Sequence, residues 1–253
     1  MIIDSPTAKQ IPELCALWCE AFGDTEEFFD VFLNTAYSSE RCRCLSVDGS
    51  VAAALYWFDC EYEGKKIAYL YAIATKKDFR GQGLCRALME DTHAHLDSLG
   101  YTAAILVPSE PSLFGFYNKI GYSACSSIGE FTCRATDKTT ALTQIDKHEY
   151  AALRRSYLPE KSVIQEGANL DFLCAQATLY KGDGFLLAAR VQSEKLIGLE
   201  LLGDTSKASA IVRSLGCAEG DFRTVGSSRP FAMYLPLADE KSAPPSHLGF
   251  AFD

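Results

Sequence analysis

The chain has 253 residues, of which 48% are hydrophobic and 23% are charged. This length and composition are typical of a globular protein with one large domain or two modest ones. Its 33 acidic and 24 basic side chains give a formal net charge of −9, which argues against the basic surface that nucleic-acid binding normally requires. An acidic surface suits a cationic partner, and it equally serves to keep a protein in solution.

The start of the sequence and its apolar segments predict a cytoplasmic protein. Residues 1–6 hold no basic leader, and no segment approaches the roughly twenty apolar residues of a membrane span. The ten cysteines are scattered without a Cys-x-x-Cys pair, so reduced thiols are expected. Neither Cys15 and Cys19 nor Cys42 and Cys44 has a second ligand pair at zinc-site spacing. We therefore expect no bound metal, no membrane partner and no nucleic-acid partner.

Hydrophobic periodicity divides the first half into helices and strands. An antiparallel meander in the middle is favoured by turns at Asp48-Gly49-Ser50 and Glu63-Gly64-Lys65. In chain order, the predicted elements are helices over 9–22 and 26–37, strands over 42–47, 51–62 and 67–75, a helix over 83–99, a strand over 103–107, a helix over 112–119 and a strand pair from Tyr122. The order is α-α-β-β-β-α-β-α-β.

A polar stretch at 135–140 marks a junction between two domains. We predict a first domain over 1–134, a linker over 135–146 and a second domain over 147–253. The second domain is predicted to contain a helix over 148–157, an extended or helical segment over 172–178, a hairpin of 185–191 with 195–202, a helix over 206–215 and strands over 222–225 and 230–237.

The most informative segment is Arg80-Gly81-Gln82-Gly83-Leu84-Cys85, which links a predicted strand to a predicted helix. Such a turn presents unpaired backbone N–H groups and the positive end of a helix dipole. Gly81 and Gly83 remove the Cβ atoms that would hold phosphate oxygens away, and Arg80 adds a cation. The spacing fits neither a dinucleotide fingerprint nor a P-loop. The segment therefore predicts a diphosphate site of another kind.

These residues resemble the cofactor signature of the GCN5-related N-acetyltransferase (GNAT) family, Gln/Arg-x-x-Gly-x-Gly/Ala. Arg80, Gly83 and Cys85 occupy its three defined positions, with Cys85 in place of Gly or Ala. The resemblance implies acetyl-CoA as acyl donor, bound by the Gly81, Gln82 and Leu84 region of the turn. It also implies that backbone groups of Ile73 and Thr75 pair with the pantetheine arm. A backbone N–H near Ile73 or Ala74 is the expected oxyanion donor.

A second match lies in Phe116-Tyr117-Asn118-Lys119-Ile120-Gly121-Tyr122, which is similar to the family's Phe-Tyr-x-Lys-x-Gly-Phe element with Tyr122 in place of Phe. Tyr117 then takes the place of the family's general acid. The chemistry is reasonable, because a phenol held at the sulfur can protonate the departing thiolate. The resemblance implies an α/β (α+β) fold with a mixed, mostly antiparallel GNAT sheet flanked by helices.

The run from Leu106 to Tyr117 is closer to the two-domain subgroup that includes the enhanced intracellular survival acetyltransferases, which implies a second, degenerate GNAT-like domain. That domain has Gly203-Asp204-Thr205-Ser206 where the glycine turn would stand, so we expect no second cofactor there. It is expected to wall the acceptor pocket, with Arg223 and Arg229 contributing; the alternative is a structural half that covers a sheet edge.

An attacking amine must lose a proton, because an alkylammonium has a pKa of about 10.4. Candidate acceptors are Glu110, Asp59 or Glu61, a water chain, and Asp253, since the C-terminal carboxylate reaches the site in the similar two-domain enzymes. The acceptor class stays open between small-molecule and peptide amines, as does assembly into a homo-oligomer. The alternative function is a non-catalytic acyl-CoA sensor or interaction module, favoured by Cys85 and by Pro111 at a position where the family often has Asn.

Overall fold

The computed structural model describes residues 1–237 and 243–252, and these residues form two compact units. Among the described residues, the first unit contains 1–123, 233–237 and 243, and the second contains 124–232 and 244–252. The elements in chain order are β1 (Ile2–Asp4), α1 (Ile11–Phe22), α2 (Glu26–Thr35), β2 (Cys42–Val47), β3 (Ser50–Tyr62), β4 (Lys65–Thr75), α3 (Leu84–Ser98), β5 (Ala103–Leu106), α4 (Pro111–Asn118), β6 (Ser123–Ala124), β7 (Ser127–Arg134), β8 (Thr143–Gln144), α5 (Lys147–Tyr157), β9 (Ile164–Gln165), α6 (Ala168–Gln176), β10 (Thr178–Gly182), β11 (Phe185–Gln192), β12 (Lys195–Gly203), α7 (Ala208–Ser214), β13 (Glu219–Pro230) and β14 (Met233–Pro236).

The sheet of the first unit has the strand order β1-β2-β3-β4-β5-β14-β6. Strands β2, β3 and β4 form an antiparallel meander, as the sequence predicts. The crossover through α3 then makes β5 parallel to β4, because a helical connection returns the chain to the same end of the sheet. Strand β14 comes from the far end of the chain and pairs antiparallel with β5.

Aromatic and aliphatic side chains of the helices fill the core of the first unit. Trp18 of α1 is 1% exposed and contacts Phe29 and Phe32 of α2, with ring centroids 5.3 and 4.9 Å away. The Thr25 hydroxyl caps α2 by accepting a hydrogen bond from the Phe28 amide, which satisfies an N–H without a helical partner. Helix α3 buries Leu88, Met89 and Leu96. These contacts fix both helical layers on the sheet.

The second unit repeats the meander and crossover on a smaller scale. Its sheet has the order β7-β13-β12-β11-β10-β8. Strands β11 and β12 form the predicted hairpin, and α7 leads to β13, which is parallel to β12. The core beneath α7 includes Phe185, Leu201, Ile211, Val212 and Phe222. This second sheet confirms a mixed α/β fold with two mostly antiparallel sheets flanked by helices.

The compact units divide the chain differently from the domains proposed on sequence grounds. Strand β7 is in the second unit, although it lies within the predicted first domain of 1–134, and β14 is in the first unit, although it lies within 147–253. Local periodicity identified both segments as strands and carried no information on which sheet each would join. The limits of 1–134 for the first domain and 147–253 for the second remain a prediction.

Candidate functional site

Strand β4 contains a bulge close to its end. Ala54 pairs with Ala74 and Tyr56 pairs with Tyr71, so Leu55 alone faces the two residues Ala72 and Ile73. Ala72 has φ of 48°, in the left-handed region that a residue with a side chain rarely adopts. One residue opposing two bends the strand and redirects its backbone groups. The bulge therefore changes the direction of β4 just before the glycine turn.

The same strand parts from β5 at this point. The parallel pairing of β4 with β5 runs from Ile67 opposite Ala103 to Leu70 opposite Leu106. Beyond Leu70, the described chain gives β4 no strand partner on that side. Backbone N–H and C=O groups of 71–75 are hence accessible there to a ligand that can pair like a strand.

The turn that follows is held by hydrogen bonds to its own strand and to α1. Nε of Arg80 donates to the Thr75 carbonyl at 3.0 Å, and the Lys77 amide donates to Oε1 of Glu20 at 2.7 Å. The Gln82 side chain donates to the Asp78 carbonyl at 3.2 Å. Arg80 thus both closes the turn and places a cation at its surface.

Gly81 and Gly83 give this turn its shape. Their φ angles are 76° and 79°, and an added Cβ would meet no atom within 4 Å at either position. The need for glycine is conformational, because a side chain at such φ is strained, and the space beside both residues is open. A ligand can approach the backbone closely at this point.

The first backbone N–H groups of α3 have no hydrogen-bond acceptor in the described part of the chain, which favours the binding of an anion. The first bond of the helix joins the Ala87 amide to the Gly83 carbonyl, so the amides of residues 84–86 have no acceptor within the helix. No other described residue accepts from them, and the first turn contains no acidic side chain. The N–H groups and the helix dipole can therefore bind phosphate oxygens. The residues present fit a diphosphate.

Tyr117 lies in the last turn of α4 close to the start of α3. It is 7% exposed, and burial together with the nearby Cys85 thiol raises the pKa of its phenol. No described residue forms a hydrogen bond with its hydroxyl. The phenol is consequently protonated throughout the neutral range, as a proton donor must be.

Cys85 and Thr75 complete the lining between strand and helix. Burial raises the pKa of the Cys85 thiol to about 11, and the nearby Thr75 hydroxyl opposes this increase. Thr75 Oγ1 is buried and has no partner of normal hydrogen-bond geometry among the described residues. A neutral thiol and a hydroxyl with free bonding capacity make this a small, weakly polar surface, which suits an uncharged acyl chain.

The candidate proton acceptors are dispersed. Glu110 is exposed at the N-cap of α4, and Oε2 accepts from the Ser112 hydroxyl at 3.3 Å. Asp59 is engaged elsewhere, since it accepts a short hydrogen bond from Tyr101 and lies 3.6 Å from Arg41. Asp253 lies outside the described residues. The structure therefore brings Glu110 and Tyr117 onto one helix and places Asp59 in a separate ion-pair cluster.

The corresponding turn of the second unit is built differently. Gly203 has φ of 89°, and an added Cβ would lie 2.2 Å from the Gly184 carbonyl oxygen. Asp204 then caps the next turn, accepting from the Ser206 amide at 3.0 Å. A carboxylate already takes the place that an anion would need.

The two arginines that were expected to line an acceptor pocket bind a carboxylate within the second unit. Arg229 binds Glu130 through two nitrogens at 2.8 Å each, and Nε of Arg223 lies 3.4 Å from the same carboxylate. The pair of arginines lowers the pKa of Glu130. Both arginines are therefore paired with the Glu130 carboxylate within the second unit.

Two features of the site were not predicted from the sequence. The bulge is centred on an alanine, whose side chain gives no hint of a positive φ. The second feature is His93, which is half-buried and whose Nε2 lies 2.8 Å from the Tyr122 hydroxyl. The substitution of Tyr for Phe at 122 was the only available indication of a polar partner there.

Residues 3–125 match the family model described as an acetyltransferase (GNAT) domain. This part of the chain is a GNAT domain. The match places residues 3–125 among the acyltransferases of this type, and it spans the strand bulge, the glycine turn and Tyr117. A comparison with curated protein sequences found no match.

Solved structures share the fold over nearly the whole chain. A GCN5-related N-acetyltransferase from Kribbella flavida has a TM-score of 0.70 at 13% identity, covering 92% of this chain and 70% of its own. One from Anabaena variabilis has a TM-score of 0.69 at 12% identity, covering 94% and 73%. Eis1 from Mycobacterium abscessus has a TM-score of 0.64 at 12% identity, covering 94% and 74%. At these identities the likeness establishes the two-sheet GNAT-type fold.

The described residues contain neither a metal cluster nor a membrane helix. No group of three or more His, Cys, Asp and Glu side chains among them is arranged to hold a metal ion. None of the helices there combines the length and apolar character needed to cross a membrane.

Proposed function

We propose that the protein is an acetyl-CoA-dependent N-acetyltransferase that transfers acetyl to a primary amine by direct attack. The observation that carries this proposal is the corner between β4 and α3, where open glycines, unpartnered amides and Arg80 coincide with the GNAT signature. The amides of 81–85 would hold the diphosphate. Backbone groups of Ile73, Ala74 and Thr75 would hold the pantetheine arm on the unpaired side of β4.

Each remaining residue has a role that follows from its environment. Acetyl-CoA supplies the activated acetyl thioester. A backbone N–H redirected by the bulge, at Ile73 or Ala74, would stabilise the developing oxyanion. Tyr117 holds the proton that the departing sulfur needs, because its raised pKa keeps the phenol protonated. Glu110, Asp253 or a water relay would accept the proton of the amine.

The proposal also covers the class of acceptor, the cellular location and the number of cofactors. The net charge of −9 favours a cationic amine, either a small molecule or a peptide, over an acidic one. We place the protein in the cytoplasm, and we expect one cofactor per chain, bound by the first unit, and none bound by the second unit.

Replacement of Tyr117 by Phe tests the proposal most economically. Thiol release from acetyl-CoA is first screened against a panel of primary amines, and the best acceptor is used to compare variants. Tyr117→Phe should lower kcat by about 100-fold or more, the size of a general-acid contribution, and leave the Kd for coenzyme A within about twofold. The phenylalanine ring would fill the same space as the tyrosine ring, so stability should change little.

The control is Tyr37→Phe. It removes a tyrosine hydroxyl just after the end of α2 in the same unit and should leave kcat unchanged. Full activity of Tyr117→Phe would refute the assigned acid. Tight coenzyme A binding with no turnover on any amine would instead favour the acyl-CoA sensor.

A further inference from the structure

Tyr122, which follows α4, contacts Tyr117 and is hydrogen-bonded to His93 in the middle of α3. Tyr122 is 1% exposed, and its hydroxyl lies 2.8 Å from Nε2 of His93. Its ring meets the Tyr117 ring edge-on at a centroid distance of 5.9 Å. Its amide donates to the Tyr117 carbonyl at 3.1 Å. Tyr122 therefore contacts Tyr117 through both its ring and its backbone.

The hydrogen bond between Tyr122 and His93 joins two neutral groups. Burial lowers the pKa of His93 to about 4 and raises that of the Tyr122 phenol well above its ordinary value. Neither group gains or loses a proton near neutral pH. A buried bond of this kind has little competition from water, and removing one partner leaves the other unsatisfied.

The two tyrosines contact α3 at two separated points. Tyr117 lies near Cys85 in the first turn, close enough that the thiol affects the pKa of the phenol. His93 is eight residues further along α3, about 12 Å at 1.5 Å per residue. Since no described residue hydrogen-bonds to the Tyr117 hydroxyl, packing alone sets its direction. The rings of Phe116 and Tyr122 both meet the Tyr117 ring edge-on, at centroid distances of 5.2 and 5.9 Å, and of these two Tyr122 is held on α3 by His93.

We propose that Tyr122 and His93 are positioning residues that hold the Tyr117 phenol in its proton-donating orientation. This inference rests on the proposed role of Tyr117. The hydroxyl of Tyr122 is a feature of this chain, because the motif it resembles has Phe at that position. A misplacement of about 1 Å at a reacting group can cost up to about 100-fold in rate, so even a small rotation would be measurable.

The test combines Tyr122→Phe, His93→Leu and Tyr117→Phe with a matched control, Tyr101→Phe. Tyr101 also has a buried hydroxyl bond in the first unit, accepting from Trp57 at 3.0 Å, and both partners of its hydroxyl, Trp57 and Asp59, are on β3. Tyr122→Phe and His93→Leu should each lower kcat about tenfold with the KM for acetyl-CoA within about twofold. Tyr101→Phe should lower the melting temperature without lowering kcat.

A double-variant series separates positioning from stability. Adding Tyr122→Phe to Tyr117→Phe should have no further effect on kcat, since residues that act as a unit are not additive. The combination of Tyr122→Phe with His93→Leu should lose no more activity than either change alone. Additive losses in the Tyr117→Phe background would overturn the inference.

A spectroscopic readout makes the inference independent of turnover. In protein labelled with 13C at tyrosine Cζ, the Tyr117 resonance is identified by its absence in Tyr117→Phe. It should shift in Tyr122→Phe and stay in place in Tyr101→Phe. If the Tyr117 resonance does not move in Tyr122→Phe, the positioning role of Tyr122 is refuted. If the resonance moves but Tyr117→Phe is fully active, only the proposed role of Tyr117 as the acid is refuted.

Discussion

Single buried residues carry much of the polar chemistry in this protein. In the second unit, Arg154 binds Glu200 through Nε and Nη2 at 2.8 Å each, and Tyr150 donates to the same carboxylate at 2.7 Å. Gln165 extends this cluster by donating to the Phe250 carbonyl at 2.8 Å. Gly249 is required beside it, because a Cβ there would lie 2.2 Å from Arg154 Nη2. The cluster thereby fixes the chain as far as Phe250.

His247 in this cluster predicts a pH-dependent stability. Burial lowers the pKa of His247 from 6.5 to about 4, and Nε2 has no hydrogen-bond partner among the described residues. In the unfolded chain the imidazole takes up its proton near pH 6.5, whereas the folded protein does so only near pH 4. The free energy of unfolding should therefore fall as the pH falls through this interval.

Replacement of His247 by Leu should make this part of the pH profile shallower. The effect has an upper bound of about 3 kcal/mol, from 1.36 kcal/mol per pKa unit. Chemical unfolding between pH 7 and pH 4 measures it. His148→Gln serves as the control, since His148 is exposed at the start of α5 and should leave the slope unchanged. Equal slopes in wild type and His247→Leu would contradict the assignment.

At the scale of single elements, the bulge in β4 determines where the strand stops pairing. A side chain at a φ near 50° costs of the order of 1 kcal/mol or more, so a regular strand would be preferred if pairing alone mattered. The strained residue, Ala72, lies between the end of the β4–β5 pairing and the glycine turn. This coincidence is the structural reason for assigning the thioester to this stretch.

Glycine at position 72 should relieve the strain in the bulge. Ala72→Gly is expected to leave the melting temperature unchanged or to raise it, because glycine adopts positive φ without a steric penalty. Ala68→Gly in the regular part of the same strand is the matched comparison. Ala68 is fully buried, and its replacement should destabilise the protein by about 1 kcal/mol. A clear loss of stability in Ala72→Gly would argue against the positive φ.

The elements themselves could largely be predicted from sequence, because their patterns are local. The stripe of Leu84, Leu88 and Leu96 indicates α3, and the turns at Gly49 and Gly64 indicate the meander. The pairing of β14 with β5 could not be predicted, since it joins Tyr234 to Ile105 across more than a hundred residues. The glycine turn was predictable because chemistry restricts its residues, whereas the bulge at Ala72 was not.

For the whole molecule, the route of the chain has a practical consequence. The first unit includes β14, residues 233–236, as well as residues 1–123. A fragment ending at residue 134 would lack β14 and leave the β5 edge without a partner, and an unpaired edge promotes aggregation. Experiments on the proposed site should therefore use the full chain.

The central claim is that the corner between β4 and α3 binds the diphosphate of acetyl-CoA, and calorimetric titration of the full chain tests it directly. Gly83→Ala places a methyl group in the open space beside the turn, and Gly64→Ala does the same at a hairpin turn with φ of 74°. Backbone strain should lower the free energy of unfolding of both variants by a similar amount, roughly 1–2 kcal/mol. Only Gly83→Ala should lose affinity, by about tenfold or more, whereas wild type and Gly64→Ala should bind alike. Absence of binding heat with wild type, or equal affinity in Gly83→Ala, would contradict the account.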